Sequence, residues 1–358
     1  MARTFPLPIV LACGCAIALI SLGERSALGL FQTDMVTDRG WTRETFSLAL
    51  ALQNLVWGIG QPFAGAMADR YGSARVLAVG GILYAAGLLG TTMVESSAGL
   101  HLMLGVIVGL GLSASSFTIV LSAFGRAVTP SQRSWAFGIG TAAGSMGMFL
   151  FGPMTAILIS NNGWVASLTA FSAIALLMVV LAIPLQGRST TDPSVPAQSL
   201  GAALSEALRY RSYILLVFGF FVCGFHVAFI IAHLPAYLDD LGFSASLGGW
   251  AIALIGLFNV AGSLAAGYVG QRYSKPYALA VLYTLRSVVI AAFVMLPASP
   301  TMVLLFAAAM GLLWLSTVPL TSGLVAVMFG PRFMATLFGI VFFSHQVGSF
   351  LGVWLGGV

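Results

Sequence analysis

Two arginines and three histidines stand where the surrounding sequence is almost wholly apolar: Arg25, Arg286, His226, His233 and His345. A planar guanidinium held in a low-dielectric setting suits bidentate capture of a carboxylate, so Arg25 and Arg286 are read as anion contacts. The alternatives are that Glu24 neutralises Arg25 locally, or that Arg286 binds helix carbonyls. His226 and His233 are seven residues apart and share one helical face, and imidazole titrates in the physiological range. They are read as proton-coupling groups, against the alternative of hydrogen-bonded structural histidines. Asn54, Trp57 and Gln61 form one helical stripe; Asn259 with Ser263, and His345 with Ser349, stand one turn apart. Asn54, Asn259 and His345 are therefore expected at a substrate, unless each only links two helices.

The elements that must carry these groups follow from composition. The 358 residues are 59% hydrophobic and 7% charged, with 25 Phe and 42 Gly, and the mean hydropathy of +1.00 is that of an all-α integral membrane protein. Eleven apolar runs are each long enough to cross a bilayer of about 30 Å: 8 to 31, 45 to 66, 76 to 94, 100 to 124, 134 to 158, 164 to 185, 211 to 238, 247 to 268, 276 to 296, 300 to 325 and 333 to 358. The first is read as an uncleaved helix, because no small-residue cleavage site follows it. With the N-terminus cytoplasmic, Arg3, Arg70, Arg75, Arg126, Arg133, Arg188, Arg209, Arg211, Arg272, Lys275 and Arg332 face inward and only Arg39 and Arg43 outward. The basic balance thus reports topology and implies no nucleic-acid partner. Arg25 and Arg286 are the two cations this leaves inside spans, where a charge costs about 2.5–3.5 kcal/mol unless it faces a cavity or partner.

The longest inner loop, 186 to 210, divides six spans from five. It opens as a polar linker, and SLGAALSEALRY is expected to form a short surface helix. The division predicts an N-terminal six-helix bundle over 1 to 185 and a C-terminal bundle over 211 to 358. GAMADRY from Gly65 aligns with GYVGQRY from Gly267 at an offset of 202, and AFGIGTAAGSMG with LFGIVFFSHQVG at an offset of 201. Two matches at nearly one spacing predict two parallel six-helix repeats. The final helix of the second repeat is then expected from about residue 365 and is missing from the sequence as given.

GAMADRYGSAR, from Gly65 through Asp69, Arg70 and Gly72 to Arg75, resembles the signature loop between the second and third helices of the major facilitator superfamily. The resemblance covers essentially the whole chain. It implies the major facilitator fold, transport by alternating access, and a cytoplasmic gate made of Gly65, Asp69, Arg70, Gly72 and Arg75. A tight turn bearing topological charges is the alternative for these residues. RSWAFGIGTAAGSMG, from Arg133 to Gly147, and GWTRETFSLALALQN, from Gly40, are similar to monocarboxylate and bacterial oxalate/formate-type members. The Lys of their first helix and the Asp and Arg of their eighth are absent here. Gly138, Gly147, Gly152 and Pro153 also fit most of the glycine motif of drug-efflux members, or simply close helix packing.

These readings predict a secondary transporter moving a small, monocarboxylate-like organic anion together with a proton. A proton-coupled efflux antiporter for drugs or metabolites is the alternative. No hydrolase nucleophile motif, P-loop, HExxH or Cys/His cluster is present, so no catalytic residue, metal or cofactor is expected. Cys13, Cys15 and Cys223 lie inside spans without ligand spacing. The expected partners are the anion, the proton and the lipid bilayer, with the chain a monomer in a bacterial inner membrane.

Overall fold

In a bilayer core no water is available to bond the backbone, so an apolar chain must close its own hydrogen bonds as helix. The computed structural model describes residues 5–187 and 199–355, and within them the chain is helical with no strand. The order begins with α1 (Leu7–Ala27), a 3-10 turn over Leu28–Phe31, α2 (Gln32–Arg39), α3 (Arg43–Tyr71) and α4 (Ser73–Met93). Next come α5 (Ser97–Leu100), π turns over His101–Ile107, α6 (Val108–Ala114), α7 (Phe117–Ala127) and α8 (Arg133–Leu181). After α9 (Leu200–Arg209) follow α10 (Arg211–Asp240), α11 (Ala245–Arg272), α12 (Lys275–Met295), α13 (Pro300–Leu313), α14 (Thr317–Phe329) and α15 (Met334–Leu355).

Nine helical stretches among the described residues are long and apolar enough to cross a membrane. One, Pro130–Leu181, is two arms bent at Gly163, whose φ of 75° breaks the helix in the turn that separates the predicted spans 134 to 158 and 164 to 185. α3 is 29 residues long but carries Gln53, Asn54, Gln61 and Asp69, too polar a set to stand among the nine. Counting α3 and both arms gives the eleven predicted crossings. α9 is the short helix expected after the linker, capped by the Ser199 side chain on the Ala202 N–H; residues 188–198 of that linker, with Arg188, and Arg3 lie outside the described residues.

Two predicted spans, both present among the nine stretches, are not regular helix throughout. The runs 100 to 124 and 300 to 325, expected to be continuous, are each interrupted near their middle, at Ser115 and Ser116 and at Trp314 to Ser316. The breaks fall about one repeat length apart, and both leave backbone carbonyls and serine hydroxyls inside the protein. Such irregular backbone is tolerated at membrane depth only where protein buries it or it lines a cavity.

Two helix pairs make the most extensive contact between the halves of the chain. α3 crosses α15 and α8 crosses α11 so closely that glycine is required at the crossings. A Cβ on Gly65 would lie 2.3 Å from the Ala335 carbonyl oxygen, and one on Gly138 would lie 2.8 Å from the Gly267 Cα. Small residues let helices in lipid approach to backbone contact, where dispersion and interhelical hydrogen bonds do the work that hydrophobicity cannot. From these crossings the contacts continue to the middle of the helices, where Gly58 meets Gln346 and Ser145 meets Asn259.

Gly65→Val has no room at a rigid backbone neighbour. It is expected to cost this conformation about 1–3 kcal/mol and to raise severalfold the thiol labelling of an Ala335→Cys reporter. Unchanged labelling would mean that the crossing is looser than described.

Candidate functional site

The stripe on α3 converges on Arg25. The Asn54 amide donates to the Leu50 carbonyl at 3.1 Å, which leaves its oxygen to accept from Arg25 Nη2. The guanidinium lies 4.9 Å over the Trp57 ring, a cation–π contact that strengthens as water is excluded. Trp57 Nε1–H donates to Gln61 at 3.2 Å, and Gln61 donates to the Thr118 hydroxyl at 2.6 Å, beside Ser116 at the α6–α7 break. Arg25 is half-buried, and its Nε has no hydrogen-bond partner among the described residues. The Asn54 side of the fork is held. The structure thus brings Arg25 and Asn54 together.

From Trp57 a row of rings leads across the junction. Phe342 of α15 lies 4.9 Å from Trp57, Phe117 packs on Phe342 at 5.5 Å, and Phe342 stacks on His345 at 5.6 Å. Phe220 packs on His345 at 5.0 Å. Beyond the row, Cys223 meets the Thr317 hydroxyl at 3.3 Å. Phe117, Phe220 and Phe342 carry no signal in the sequence, since any ring in an apolar helix looks like packing.

Arg286 is fully buried and donates through Nη2 to the carbonyls of Leu313 and Trp314, the latter at 2.7 Å. These are carbonyls that the α13–α14 break releases, so the guanidinium caps a broken helix end. The helix-carbonyl alternative is therefore realised, though Nε and Nη1 stay without partners among the described residues. Asn259 donates to Ser145 at 2.9 Å and accepts from the Leu315 N–H at 3.0 Å, tying the same break to α8.

The histidines do not act as one group. His233 lies against the Val353 carbonyl at 3.1 Å, in the α10–α15 seam, whereas His226 stands within electrostatic reach of Arg286, its Nδ1 unpartnered among the described residues. His345 lies in the ring row, packed between Phe342 and Phe220.

At the end of α3 the chain turns at Gly72, whose φ of 97° favours glycine, and places Ser73 beneath Asp69. Asp69 accepts the Thr336 N–H at 2.9 Å, the Thr336 hydroxyl at 2.8 Å and the Ala335 N–H at 3.4 Å, so a carboxylate sits on the N-terminus of α15. Arg126 lies 3.8 Å from Asp69 and donates to Ser122 at 2.6 Å and to Ser73. Of the residues expected at the gate, Arg70 stacks on Tyr71 and Arg75 is exposed, and the cation facing Asp69 is Arg126. Burial pushes the Asp69 carboxyl up to about 6, against the lowering pull of the Thr336 donors, of Arg126 and of the Ala335 N–H.

With this geometry in place, comparisons with known proteins can be read. The family model described as Major Facilitator Superfamily matches residues 13–353. Monocarboxylate transporter 13 of Rattus norvegicus is 28% identical over 318 residues, covering 87% of this chain and 71% of that protein. The uncharacterized MFS-type transporter YcxA of Bacillus subtilis is 25% identical over 346 residues, 93% of this chain and 83% of its own. Among solved structures, the Escherichia coli fucose:proton symporter FucP superposes with a TM-score of 0.78 at 14% identity, covering 99% of this chain and 92% of that one. The human organic anion transporter MFSD10 gives 0.74 at 18% identity over 98% and 93%.

Asp69 binds its proton more tightly in this conformation than in one that wets it, so acid favours the closed contact. That advantage is complete below the ordinary value of 3.8 and gone once pH passes about 6. Labelling of Ala335→Cys should therefore rise across that window and become flat with pH in Asp69→Asn; a wild-type profile without a rise would remove the carboxyl from the contact.

Proposed function

Because the chain belongs to the major facilitator superfamily and is a transporter, not an enzyme, we propose that it carries a small organic monocarboxylate across the membrane together with a proton. The observation that carries the anion is Arg25: a half-buried guanidinium, seated on Trp57 and Asn54, with donor capacity left over at the junction of the two halves. A carboxylate replaces its lost hydration with charge-assisted hydrogen bonds there. Relatives named monocarboxylate transporters, at 25–28% identity, support the same class.

Residues 1–185 and 211–358 act as two bundles that rock about this point. The Asp69 end is the cytoplasmic end, as the loop cations require. In the conformation described, the Asp69–Thr336 and Gly138–Gly267 contacts hold that end shut, and substrate reaches Arg25 from outside. Arg286 holds the α13–α14 break and adds positive charge behind His345 and Asn259, which line the floor of the site. The ring row of Trp57, Phe342 and His345 is the floor that must part when the site opens inward. His226 lies close enough to Arg286 to sense its charge, and His233 serves the seam.

Thermal stability of the purified protein against small monocarboxylates, dicarboxylates and lipophilic cations tests the reading, because a ligand at about a hundred times its Kd stabilises the folded state by about 2.7 kcal/mol. Stabilisation by a monocarboxylate is expected, lost in Arg25→Gln and weakened in Arg25→Lys, which keeps the charge without the fork. Stabilisation by lipophilic cations alone would replace the reading with efflux.

A further inference from the structure

One ionisable group near the site is used by none of the above. Glu24, the neighbour of Arg25 on α1, is 0% exposed, and neither carboxyl oxygen has a hydrogen-bond partner among the described residues. It forms no described ion pair with Arg25, since consecutive side chains point about 100° apart around a helix. α8 packs along α1 through Gly144, Gly147 and Phe151, which offer no charge. α4 presents Tyr84, whose hydroxyl donates to the Ser21 carbonyl at 3.4 Å and stands within electrostatic reach of both Glu24 and Arg25. Ser115, from the α6–α7 break, lies 3.5 Å from the Ser21 hydroxyl. The other titratable groups of the elements packed on α1, Arg126 of α7, Arg133 of α8 and Arg75 of α4, sit at the far, Asp69 end of those helices. Tyr84 is thus the titratable group that faces Glu24 from another helix, and it stands between Glu24 and Arg25 in electrostatic reach of both.

An unpartnered carboxylate in such a place is the costliest charge a membrane protein can hold, and a protonated carboxyl is far cheaper. We propose that Glu24 is the proton-carrying group, and that it couples the proton to the anion by keeping the charge of the buried site at zero. This rests on the reading of Arg25 as the anion contact. In the loaded carrier Arg25 is balanced by the substrate carboxylate, so Glu24 must carry a proton. In the empty carrier Arg25 is balanced by Glu24 itself, which must therefore have released it. The two mixed states, anion with ionised Glu24 and no anion with protonated Glu24, leave one net charge in a low-dielectric site and are excluded from crossing. In each cycle a proton bonds to the Glu24 carboxylate on the side where the anion enters, and the O–H bond breaks on the side where the anion leaves. One proton moves with one monoanion. In the conformation described Arg25 keeps partial exposure while Glu24 is fully buried.

The test uses full-length protein in proteoliposomes with acetate, lactate and pyruvate as probes, and Glu24→Gln as the variant. Gln keeps the shape of a protonated carboxyl, so its thermal stability should match wild type. Wild type should accumulate a probe when the lumen is alkaline and should alkalinise the outside as it does so. Glu24→Gln should lose both by roughly tenfold or more, while it still binds the probe, with an affinity that no longer changes between about pH 5.5 and about pH 7.5. Glu24→Asp, which keeps the carboxyl, should retain proton-driven uptake. Infrared spectroscopy of wild type saturated with a probe at neutral pH should show the carbonyl stretch of a protonated carboxylic acid that Glu24→Gln lacks, and its absence would overturn the proposal whatever the variants transport. Proton-driven accumulation intact in Glu24→Gln would overturn Glu24 as the carrier and leave Arg25 untouched. A wild type that neither binds nor takes up any of the three probes would overturn the anion reading and this proposal with it.

Discussion

The cost of a charge inside a membrane governs the arrangement of this protein. Arg25, Glu24 and Arg286 lie in apolar helices where each unbalanced charge is penalised by several kcal/mol, and each is answered differently. Arg286 is answered by backbone, Arg25 by an amide oxygen, a tryptophan face and partial access to water, and Glu24 by nothing among the described residues. The answers require unusual backbone. Arg286 has carbonyls to bind only because α13 stops at Leu313, and Gln61 has the Thr118 hydroxyl beside it only because the chain breaks at Ser115 and Ser116. The breaks cost helical hydrogen bonds, which these polar side chains partly restore.

The same constraint shapes the junction. Helices in lipid gain little from burying apolar surface against each other, so the crossings of α3 with α15 and of α8 with α11 rely on glycine and backbone contact at one end, and at the middle on the Trp57–Phe342 rings in the first and the Asn259–Ser145 hydrogen bond in the second. Asp69 holds the glycine end by placing a carboxylate on the first turn of α15, with Arg126 and Ser73 behind it. Ring contacts and a few hydrogen bonds can be exchanged for water without tearing a packed core, as two bodies that rock must do.

Much of this was readable from residue order. The 3.6-residue period places Asn54, Trp57 and Gln61 on one line, and Gly65, Asp69 and Gly72 mark the turn where α3 meets α4. Other parts were not. Thr336 meets Asp69 across 267 residues of chain, and before the halves are docked Arg126 is one loop cation among many, while Arg70 and Arg75, nearer in sequence, face outward. The break at Ser115 interrupts an apolar run with no proline or charge to announce it, whereas the one at Trp314 to Ser316 is followed by Pro319, whose ring clashes with the carbonyl four residues before it. Phe342 becomes the bridge between the halves only because of which helix it meets. Glu24 was visible as a residue, but its isolation is a property of everything around it.

The central claim is that Arg25 holds a carboxylate at the junction of two rocking bundles and that its passage is tied to a proton. The most direct measurement is uptake of a labelled monocarboxylate into proteoliposomes of the full-length protein under an imposed pH gradient, with wild type and Arg25→Gln side by side. The account predicts uphill accumulation in wild type that collapses with the gradient and is absent in Arg25→Gln. Equal accumulation by the two proteins, or accumulation indifferent to the gradient, would contradict it.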